Sequence, residues 1–269
     1  MTHIHDPQDM AILVSSCDAY SDAWKPYFES FFAMWPDCPF QIYLLSETKE
    51  YFDARLTVLH TREQSWSRVV RTAFETIPHP YVLYVQEDYF LTERVSTSEI
   101  LRLLDMVKKE HAACMRLYPS PKPDCSYKNY SDIGSISRGR PYRLSLQATM
   151  WDKKIFHDLI KEGESPWQAE LEGSARTSQL SQEFLSVKKI SVFKYICTGI
   201  IRGKWTYDAL NFFKEKNMHV DLTLREVEPY DAYVRRRLSN TPVFGGVFRL
   251  WYRIRKKLRT SKKQASTVE

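Results

Sequence analysis

The stretch that most constrains the fold of this chain is Tyr81-Val-Leu-Tyr-Val-Gln-Glu-Asp-Tyr-Phe-Leu-Thr92. Its first five residues are β-branched, aromatic or otherwise apolar, which is typical of a strand buried on both faces of a parallel sheet. The run ends in two adjacent carboxylates, Glu87 and Asp88. Open α/β sheets bind ligands beyond the carboxyl ends of their strands, and acids placed there are costly unless a positive group lies against them. The stretch therefore predicts a ligand site in which a divalent cation bridges to a phosphate.

Apolar runs alternate with segments of helical periodicity along most of the chain, which favours an α/β fold with a mostly parallel sheet between layers of helices. Besides the strand that ends at the two acids, we predict strands over 11–16, 41–46, 56–60 and 113–118, and an extended segment over 143–149. Predicted helices run from Asp18 or Ser21 as N-cap to Met34, from Ser65 or Ser67 to Thr76, and over 98–110, 152–160 and 205–216. Residues 119–141 read as a polar loop, and 163–176 as an acidic segment too polar for a core element.

Length and composition are those of a globular protein with one large domain, with or without appendages. The chain has 269 residues, and 43% of them are hydrophobic. Its five cysteines are scattered without a CxxC pair, which fits a reducing compartment better than a disulfide framework or a zinc site. Nowhere do 18 uncharged apolar residues run together, so no membrane-spanning helix is expected. We expect a cytoplasmic or peripheral protein.

Charge divides the chain into a body, residues 1–231, and a tail, residues 232–269. The body holds 28 basic and 32 acidic residues, whereas the tail holds 11 basic residues and one acid. Within the tail, residues 243–259 predict a basic amphipathic helix. Such a tail could bind anionic lipid, bind nucleic acid, or be a disordered solubilising extension. Its apolar stripe favours the membrane surface, and because the body has no recognisable nucleic-acid reader module, no nucleic-acid partner is expected.

In the order of its motifs, the chain resembles bacterial glycosyltransferases of the GT-A fold that are encoded with lipopolysaccharide and capsule genes. The resemblance covers roughly residues 11–217. It rests on Val14-Ser-Ser-Cys-Asp18, Trp24 through Trp35-Pro-Asp-Cys-Pro39, Ser65-Trp66-Ser67, Gln86-Glu-Asp88, Arg143-Leu-Ser-Leu-Gln147 with Trp151, and Gly163-Glu-Ser-Pro-Trp-Gln-Ala-Glu-Leu-Glu-Gly-Ser174. Gln86-Glu87-Asp88 departs from the Asp-x-Asp motif of these enzymes, because its first position is an amide.

The resemblance implies a metal site at the acidic pair, where Mn²⁺ or Mg²⁺ bridges the two phosphates of a nucleotide-sugar donor. Asp88 is the better metal-ligand candidate. Glu87 either points the other way along the strand or binds the metal after a local turn. The alternative is a solvated pair at the end of a strand. The residues implied in donor binding are Asp18, Trp66, Gln86, Glu87 and Asp88. For Asp18 the alternative role is N-cap of the following helix.

The acidic segment supplies the predicted catalytic base. A carboxylate half-desolvated beside Trp167 would have the raised proton affinity that suits a base acting on an acceptor hydroxyl in an inverting transfer, and Glu170 and Glu172 are both candidates. The alternative is an exposed acidic loop that contributes only solubility. Gln147, Trp151 and Trp167 are the predicted acceptor-binding residues. Each tryptophan could stack on a sugar ring or could lie in the core.

These interpretations combine into one functional expectation. The chain would move a sugar from a nucleotide-diphosphate-sugar donor to a hydroxyl of a lipid-linked or lipopolysaccharide-type glycan. It would lie on the anionic inner leaflet of the cell membrane through its basic tail. A second interpretation is a non-catalytic glycan- or membrane-binding module that retains the fold, and Gln86 is the residue that favours it.

Overall fold

The computed structural model describes residues 9–190 and 192–239. They form two compact units. The first contains the described residues up to Gly199 together with Met218–Val220, and the second contains Ile200–Asn217 and the described residues from Asp221 onwards. The amphipathic helix predicted over 243–259 lies outside the described residues.

A nine-stranded sheet forms the centre of the first unit. Its strands are β1 (Met10–Ser15), β2 (Gln41–Ser46), β3 (Leu56–His60), β4 (Tyr81–Gln86), β6 (Cys114–Arg116), β7 (Cys125–Tyr127), β8 (Tyr130–Ser135), β9 (Thr149–Asp152) and β10 (Phe184–Val187). They lie in the order β3-β2-β1-β4-β9-β6-β10-β8-β7. Strands β1 to β4 are mutually parallel, whereas β9 runs antiparallel between β4 and β6. A short ribbon pairs β5 (Phe90–Leu91) with β11 (Tyr195–Ile196).

Five helices accompany the sheet in this unit. They are α1 (Trp24–Met34), α2 (Trp66–Thr76), α3 (Thr97–Lys109), α4 (Lys153–Leu159) and α5 (Pro166–Arg176). Side-chain N-caps set several starts, because Ser65 accepts a hydrogen bond from the Arg68 amide and Asp152 from the Ile155 amide. All six residues of β1 are buried, as a strand covered on both faces requires. The predicted α/β fold with a mostly parallel sheet is confirmed.

Four local predictions are wrong. The segment predicted to be extended over 143–149 forms no strand before β9 begins at Thr149. The predicted loop over 119–141 contains the hairpin β7–β8, which extends one edge of the sheet. The segment taken as too polar for a core element is helix α5, which buries Ala169. Neither Asp18 nor Ser21 caps α1: a 3₁₀ helix over Asp18–Ala23 leads directly into it, and no side chain caps either helix.

The second unit holds the hairpin β12 (Ile200–Ile201) and β13 (Lys204–Trp205), then α6 (Tyr207–Glu215) and α7 (Tyr230–Ser239). Arg236 on α7 makes ion pairs of 2.7 Å with both Asp208 and Glu228. Because α7 begins at Tyr230, the boundary predicted between residues 231 and 232 falls inside this helix. Every helix in the part of the chain that the structure describes is too short or too polar to cross a membrane.

Candidate functional site

The strand order changes direction between β1 and β4. From β1 the chain passes through α1 to β2 on one side, and from β3 it passes through α2 to β4 on the other side. Parallel sheets open a crevice at such a switch point, beyond the carboxyl ends of the two strands, and this is where open α/β sheets bind ligands. Ser15 at the end of β1 is in register with Gln86 at the end of β4. The residues directly after these two positions are therefore at the mouth of the crevice.

The acidic pair occupies this position. β4 ends at Gln86, whose carbonyl accepts a hydrogen bond of 3.1 Å from the Tyr89 amide, so Glu87 and Asp88 form a turn rather than a continuation of the strand. Each of the two acids is only 8% exposed. The alternative of a solvated pair does not fit this burial. The turn removes the strand alternation that would point Glu87 and Asp88 in opposite directions, and their shared contact with one ligand stays a prediction.

Buried tyrosines surround the acidic turn. Burial raises the pKa values of Tyr27, Tyr89 and Tyr195 well above the ordinary value, and the negative charge of nearby Asp88 raises all three further. These phenols are therefore protonated at neutral pH and can donate hydrogen bonds.

The donor set at the turn fits a hard divalent cation that also binds a ligand. Mg²⁺ in proteins is commonly held by one or two carboxylates together with substrate phosphates, rather than by an all-protein cage. Glu87 and Asp88 supply two such carboxylates. Among residues 9–190 and 192–239 there is no cluster of three or more histidine, cysteine or acidic side chains that could enclose a metal. A cation at this turn would therefore depend on the ligand for most of its coordination.

The segment just before β9 passes over the same edge of the sheet, since β9 is antiparallel to β4 and Thr149 is in register with Tyr84. Two tyrosines hold this segment. The Tyr89 hydroxyl donates to the Leu146 carbonyl at 3.1 Å, and the Tyr195 hydroxyl accepts a hydrogen bond of 3.1 Å from the Ala148 amide. The rings of Tyr89 and Tyr195 stack with their centroids 4.5 Å apart.

Helix α5 brings Glu170 to this segment. The helix begins with a capping box between Ser165 and Gln168. The Glu170 carboxylate accepts hydrogen bonds from the Leu146 amide at 2.8 Å and from the Ser145 hydroxyl at 3.3 Å. Burial raises the pKa of Glu170, and these two hydrogen bonds oppose that rise without cancelling it. Glu170 is therefore a half-buried carboxylate with raised proton affinity at the same end of the sheet as the acidic turn.

The other predicted residues of α5 do not share this environment. Glu172 is exposed, as expected two positions further along a helix, where the side chain is turned by about 200°. Trp167, in the first turn, is 71% exposed, so it is available to a ligand. Its predicted contact with an acceptor stays a prediction.

Asp18 follows β1, and its carboxylate binds the loop after β2. Its carboxylate accepts hydrogen bonds from the Ser46 hydroxyl at 2.7 Å, the Thr48 hydroxyl at 2.6 Å and the Lys49 amide at 3.2 Å. Burial alone would raise its pKa, but these hydrogen bonds outweigh that effect and hold the pKa of Asp18 well below its usual range. Asp18 is thus an ionised anchor of the loop over 46–49, and its predicted contact with the donor stays a prediction.

Three further residues that the sequence predicts in the site differ in how far they are buried. Trp151 is fully buried and stacks on Phe156 at a centroid distance of 4.4 Å, so its predicted contact with an acceptor is wrong and the core alternative applies. Trp66 is half-buried and donates its indole N–H to the Tyr84 hydroxyl at 3.2 Å. Gln86 is half-buried at the mouth of the crevice. For Trp66 and Gln86, donor binding stays a prediction.

Sequence reasoning missed Tyr89 and Tyr195. Tyr89 carried a signal, because it directly follows the two acids. Tyr195 carried none, since only the long-range pairing of β11 with β5 brings it to the site.

Comparisons with known proteins give distant likeness only. No protein-family model matches the chain, and no curated protein matches it. Solved structures similar to it include Staphylococcus aureus TarS 1–349 in complex with UDP, with a TM-score of 0.47 and 9% identity, covering 71% of this chain and 60% of that one. Another is the bifunctional IspDF from Campylobacter jejuni, with a TM-score of 0.40 and 12% identity, covering 71% of this chain and 52% of that one.

A third is the 2-C-methyl-D-erythritol 4-phosphate cytidylyltransferase from Thermus thermophilus, with a TM-score of 0.43 and 13% identity, covering 70% of this chain and 92% of that one. The chain spans only 52% of the IspDF chain and between 44% and 60% of the TarS chains. At these identities and TM-scores, the likeness is too distant to assign an activity.

Proposed function

We propose that this protein is a metal-assisted glycosyltransferase that uses a nucleotide-diphosphate-sugar donor. The observation that carries the proposal is the buried turn of Glu87 and Asp88 at the switch point of the sheet, with the half-buried Glu170 facing the segment above it. A diphosphate with its cation needs carboxylates at a strand end, and a transfer to a hydroxyl needs a base nearby. The residues proposed for both tasks lie in one unit of the structure, which supports the proposal.

In this proposal Asp88 and Glu87 would hold Mn²⁺ or Mg²⁺, and the cation would supply positive charge that stabilises the leaving diphosphate. Glu170 accepts the proton of the acceptor hydroxyl while the oxygen of that hydroxyl forms a bond to the anomeric carbon of the sugar. The bond between that carbon and the diphosphate oxygen breaks, and the nucleoside diphosphate leaves with the electron pair. Attack from the face opposite the leaving group inverts the anomeric centre. Of the two candidate bases, only Glu170 is half-buried and in contact with the site, which supports assigning this role to Glu170 rather than to Glu172.

The proposed acceptor is a hydroxyl of a lipid-linked or lipopolysaccharide-type glycan. This part of the proposal is supported by the charge of residues 232–269, with 11 basic residues and one acid. A basic segment with aromatic residues favours the surface of an anionic membrane, where a lipid-anchored acceptor is found.

A second candidate function is a non-catalytic binding module that retains the fold. Gln86 favours it, because an amide stands where Asp-x-Asp enzymes carry an acid. The two candidates differ in nucleotide binding. A transferase binds UDP or GDP more tightly when Mn²⁺ is present, whereas a module without the metal site does not.

Asp88→Asn tests the proposal, because it keeps the shape of the side chain and removes the charge that a cation needs. We expect the variant to lose the Mn²⁺-dependent part of its affinity for the nucleoside diphosphate, by at least about 10- to 100-fold, and to lose hydrolysis of nucleotide sugars. Calorimetry with UDP and GDP, with and without Mn²⁺, measures the first effect.

The matched control is Asp158→Asn, which removes a carboxylate from α4 that is 55% exposed and lies outside the site. It should bind nucleotide like the unchanged protein. Full metal-dependent binding and turnover by the Asp88→Asn variant would remove the proposed role of Asp88. Absence of any nucleotide binding by the unchanged protein would favour the binding module.

A further inference from the structure

The side-chain amide of Gln147 is held in one orientation by Tyr195. The Ala148 amide donates to the Tyr195 hydroxyl oxygen at 3.1 Å, and the Tyr195 hydroxyl donates its single proton to Oε1 of Gln147 at 2.7 Å. Burial keeps Tyr195 protonated, because it raises the pKa of the phenol, so this donation is maintained at neutral pH. The carbonyl end of the Gln147 amide is thereby committed to Tyr195, and its NH₂ group is turned away from the ring.

Gln147 is connected through neighbouring residues both to the acidic turn and to Glu170. On one side, the ring of Tyr195 stacks on Tyr89, which directly follows Asp88. On the other side, Leu146 donates its amide to Glu170. Gln147 is half-buried, and no residue that the structure describes accepts a hydrogen bond from its NH₂ group. An oriented pair of N–H donors is therefore available on the segment that contacts both Glu170 and Tyr195, which stacks on the residue directly after the acidic turn.

We propose that the NH₂ group of Gln147 donates a hydrogen bond to a hydroxyl oxygen of the transferred sugar, and that Tyr195 is the positioning residue that orients it. This inference rests on the proposed function. The anomeric carbon must lie between the leaving diphosphate and the hydroxyl that the base activates, so a donor on the segment that links the two groups is suited to bind the sugar. The sequence motif predicts that Gln147 binds the acceptor. The proposed ligand of Gln147 is instead the sugar of the donor.

The inference predicts a split between two kinds of ligand. Gln147→Met keeps the length of the side chain and removes both N–H donors. Affinity for a nucleotide sugar should fall about 3- to 10-fold, which corresponds to the loss of one neutral hydrogen bond, while affinity for the nucleoside diphosphate alone stays unchanged. Calorimetry of the full chain with Mn²⁺ measures both affinities. The probes are UDP and GDP on one side and UDP-glucose, UDP-N-acetylglucosamine and GDP-mannose on the other.

Tyr195→Phe keeps the ring that stacks on Tyr89 and removes the hydroxyl that orients Gln147. It should weaken nucleotide-sugar binding in the same direction as Gln147→Met and by a smaller factor. Gln179→Met is the control, because it makes the same replacement at an exposed position away from the site. Thermal unfolding of each variant checks that the fold is retained.

Two results would overturn the inference alone: unchanged nucleotide-sugar affinity in Gln147→Met, or equal losses for the nucleotide sugar and for the nucleoside diphosphate. A different result, in which the unchanged protein binds neither kind of ligand, would overturn the proposed function and this inference together.

Discussion

Glu170 is half-buried and has a raised pKa because of the face of α5 on which it lies. The Leu146 amide and the Ser145 hydroxyl both donate to one of its carboxylate oxygens, Oε1. Burial nevertheless raises its pKa, because the carboxylate is withdrawn from water. A general base acts best when its pKa lies nearer to the working pH, so this environment suits proton abstraction.

Glu170→Gln should lower the turnover number about 100- to 10,000-fold, the usual contribution of a general base, while nucleotide affinity changes little. In the unchanged protein, activity should rise with pH as Glu170 loses its proton, and this rise should be absent from the residual activity of the variant. Glu172→Gln is the matched control, since Glu172 is exposed on the same helix. Equal losses in the two variants would contradict the assignment of the base.

The Glu170→Gln variant should be less active than the unchanged protein but more stable at neutral pH. A carboxylate whose pKa is higher in the folded than in the unfolded protein binds protons more tightly when folded, so its contribution to stability is lost as pH rises through the folded pKa. At neutral pH the Glu170→Gln protein should therefore have a higher free energy of unfolding than the unchanged protein. The difference should shrink as the pH falls below the folded pKa. Urea unfolding at several pH values measures it.

Single residues also show how far the sequence could predict the site. The position of Glu87 and Asp88 was predictable, because a buried strand and its end are encoded in adjacent residues. The depth of Trp151 was not, since a tryptophan near a strand can face the core or a ligand, and its neighbours Phe156 and Phe184 meet it only in the folded chain. Asp18 likewise binds the loop over 46–49, 28 residues away at Ser46.

At the scale of elements, the acidic turn depends on a close approach by the chain after β11. A Cβ on Gly199 would lie 2.3 Å from the Phe90 ring and 2.7 Å from the Asp88 carbonyl oxygen. Phe90 is fully buried, and the Asp88 oxygen belongs to the backbone, so both a buried ring and the turn itself would have to shift. Gly173 on α5 offers a comparison, because a Cβ there would meet the tip of the Leu144 side chain, at 2.8 Å, rather than backbone.

Gly199→Ala should lower the free energy of unfolding by about 1–3 kcal/mol, because backbone and a buried ring must shift to accept the methyl group. It should also weaken Mn²⁺-dependent UDP binding, since the carbonyl that moves belongs to Asp88. Gly173→Ala should cost less than Gly199→Ala, because only the tip of the buried Leu144 side chain must shift and alanine favours the helix. Urea unfolding and calorimetry measure both variants. A Gly199→Ala protein as stable as the Gly173→Ala protein would contradict the role given to this approach.

Elements with a strong local pattern were predictable from the sequence. Strands β1 to β4 and helices α2 and α3 follow apolar periodicity and side-chain caps, and they lie close to the predicted bounds. Helix α5 was not recognised, because the residues it buries are small: Ala169, Gly173 and Ser174. Small side chains give no hydrophobic signal, although they allow a helix to approach its neighbours closely. The hairpin β7–β8 was missed because its partner, β10, is far along the chain.

At the scale of the whole molecule, the alternation of strands and helices predicts the fold class but not the order of the sheet. Strand β9 is inserted between β4 and β6 and runs antiparallel to both of them. This insertion carries the segment with Leu146 and Gln147 across the carboxyl end of β4. No local pattern encodes it, because the pairing joins β9 to a strand far earlier in the chain, with Thr149 opposite Tyr84. The half of the site contributed by β1 and β4 was therefore foreseeable, and the spatial relation of Glu170 to it was not.

Membrane binding stays a prediction for the full chain, and its test separates residues 240–269 from the described fold. Residues 240–269 contain eight basic residues and one acid. A chain ending at Ser239 keeps the ion pairs of Arg236 with Asp208 and Glu228 on α7. Each basic residue near an anionic lipid surface contributes about 1 kcal/mol, so we expect the full chain to sediment with phosphatidylserine vesicles and the shortened chain not to.

Further controls complete the comparison. Binding should be absent with phosphatidylcholine vesicles and should weaken as salt screens the charges. A full chain with Lys256, Lys257, Lys262 and Lys263 replaced by Gln should bind less tightly than the unchanged chain, and all forms should bind UDP and Mn²⁺ equally. Salt-sensitive binding to RNA, with none to anionic vesicles, would contradict the membrane role and assign the basic segment to nucleic acid.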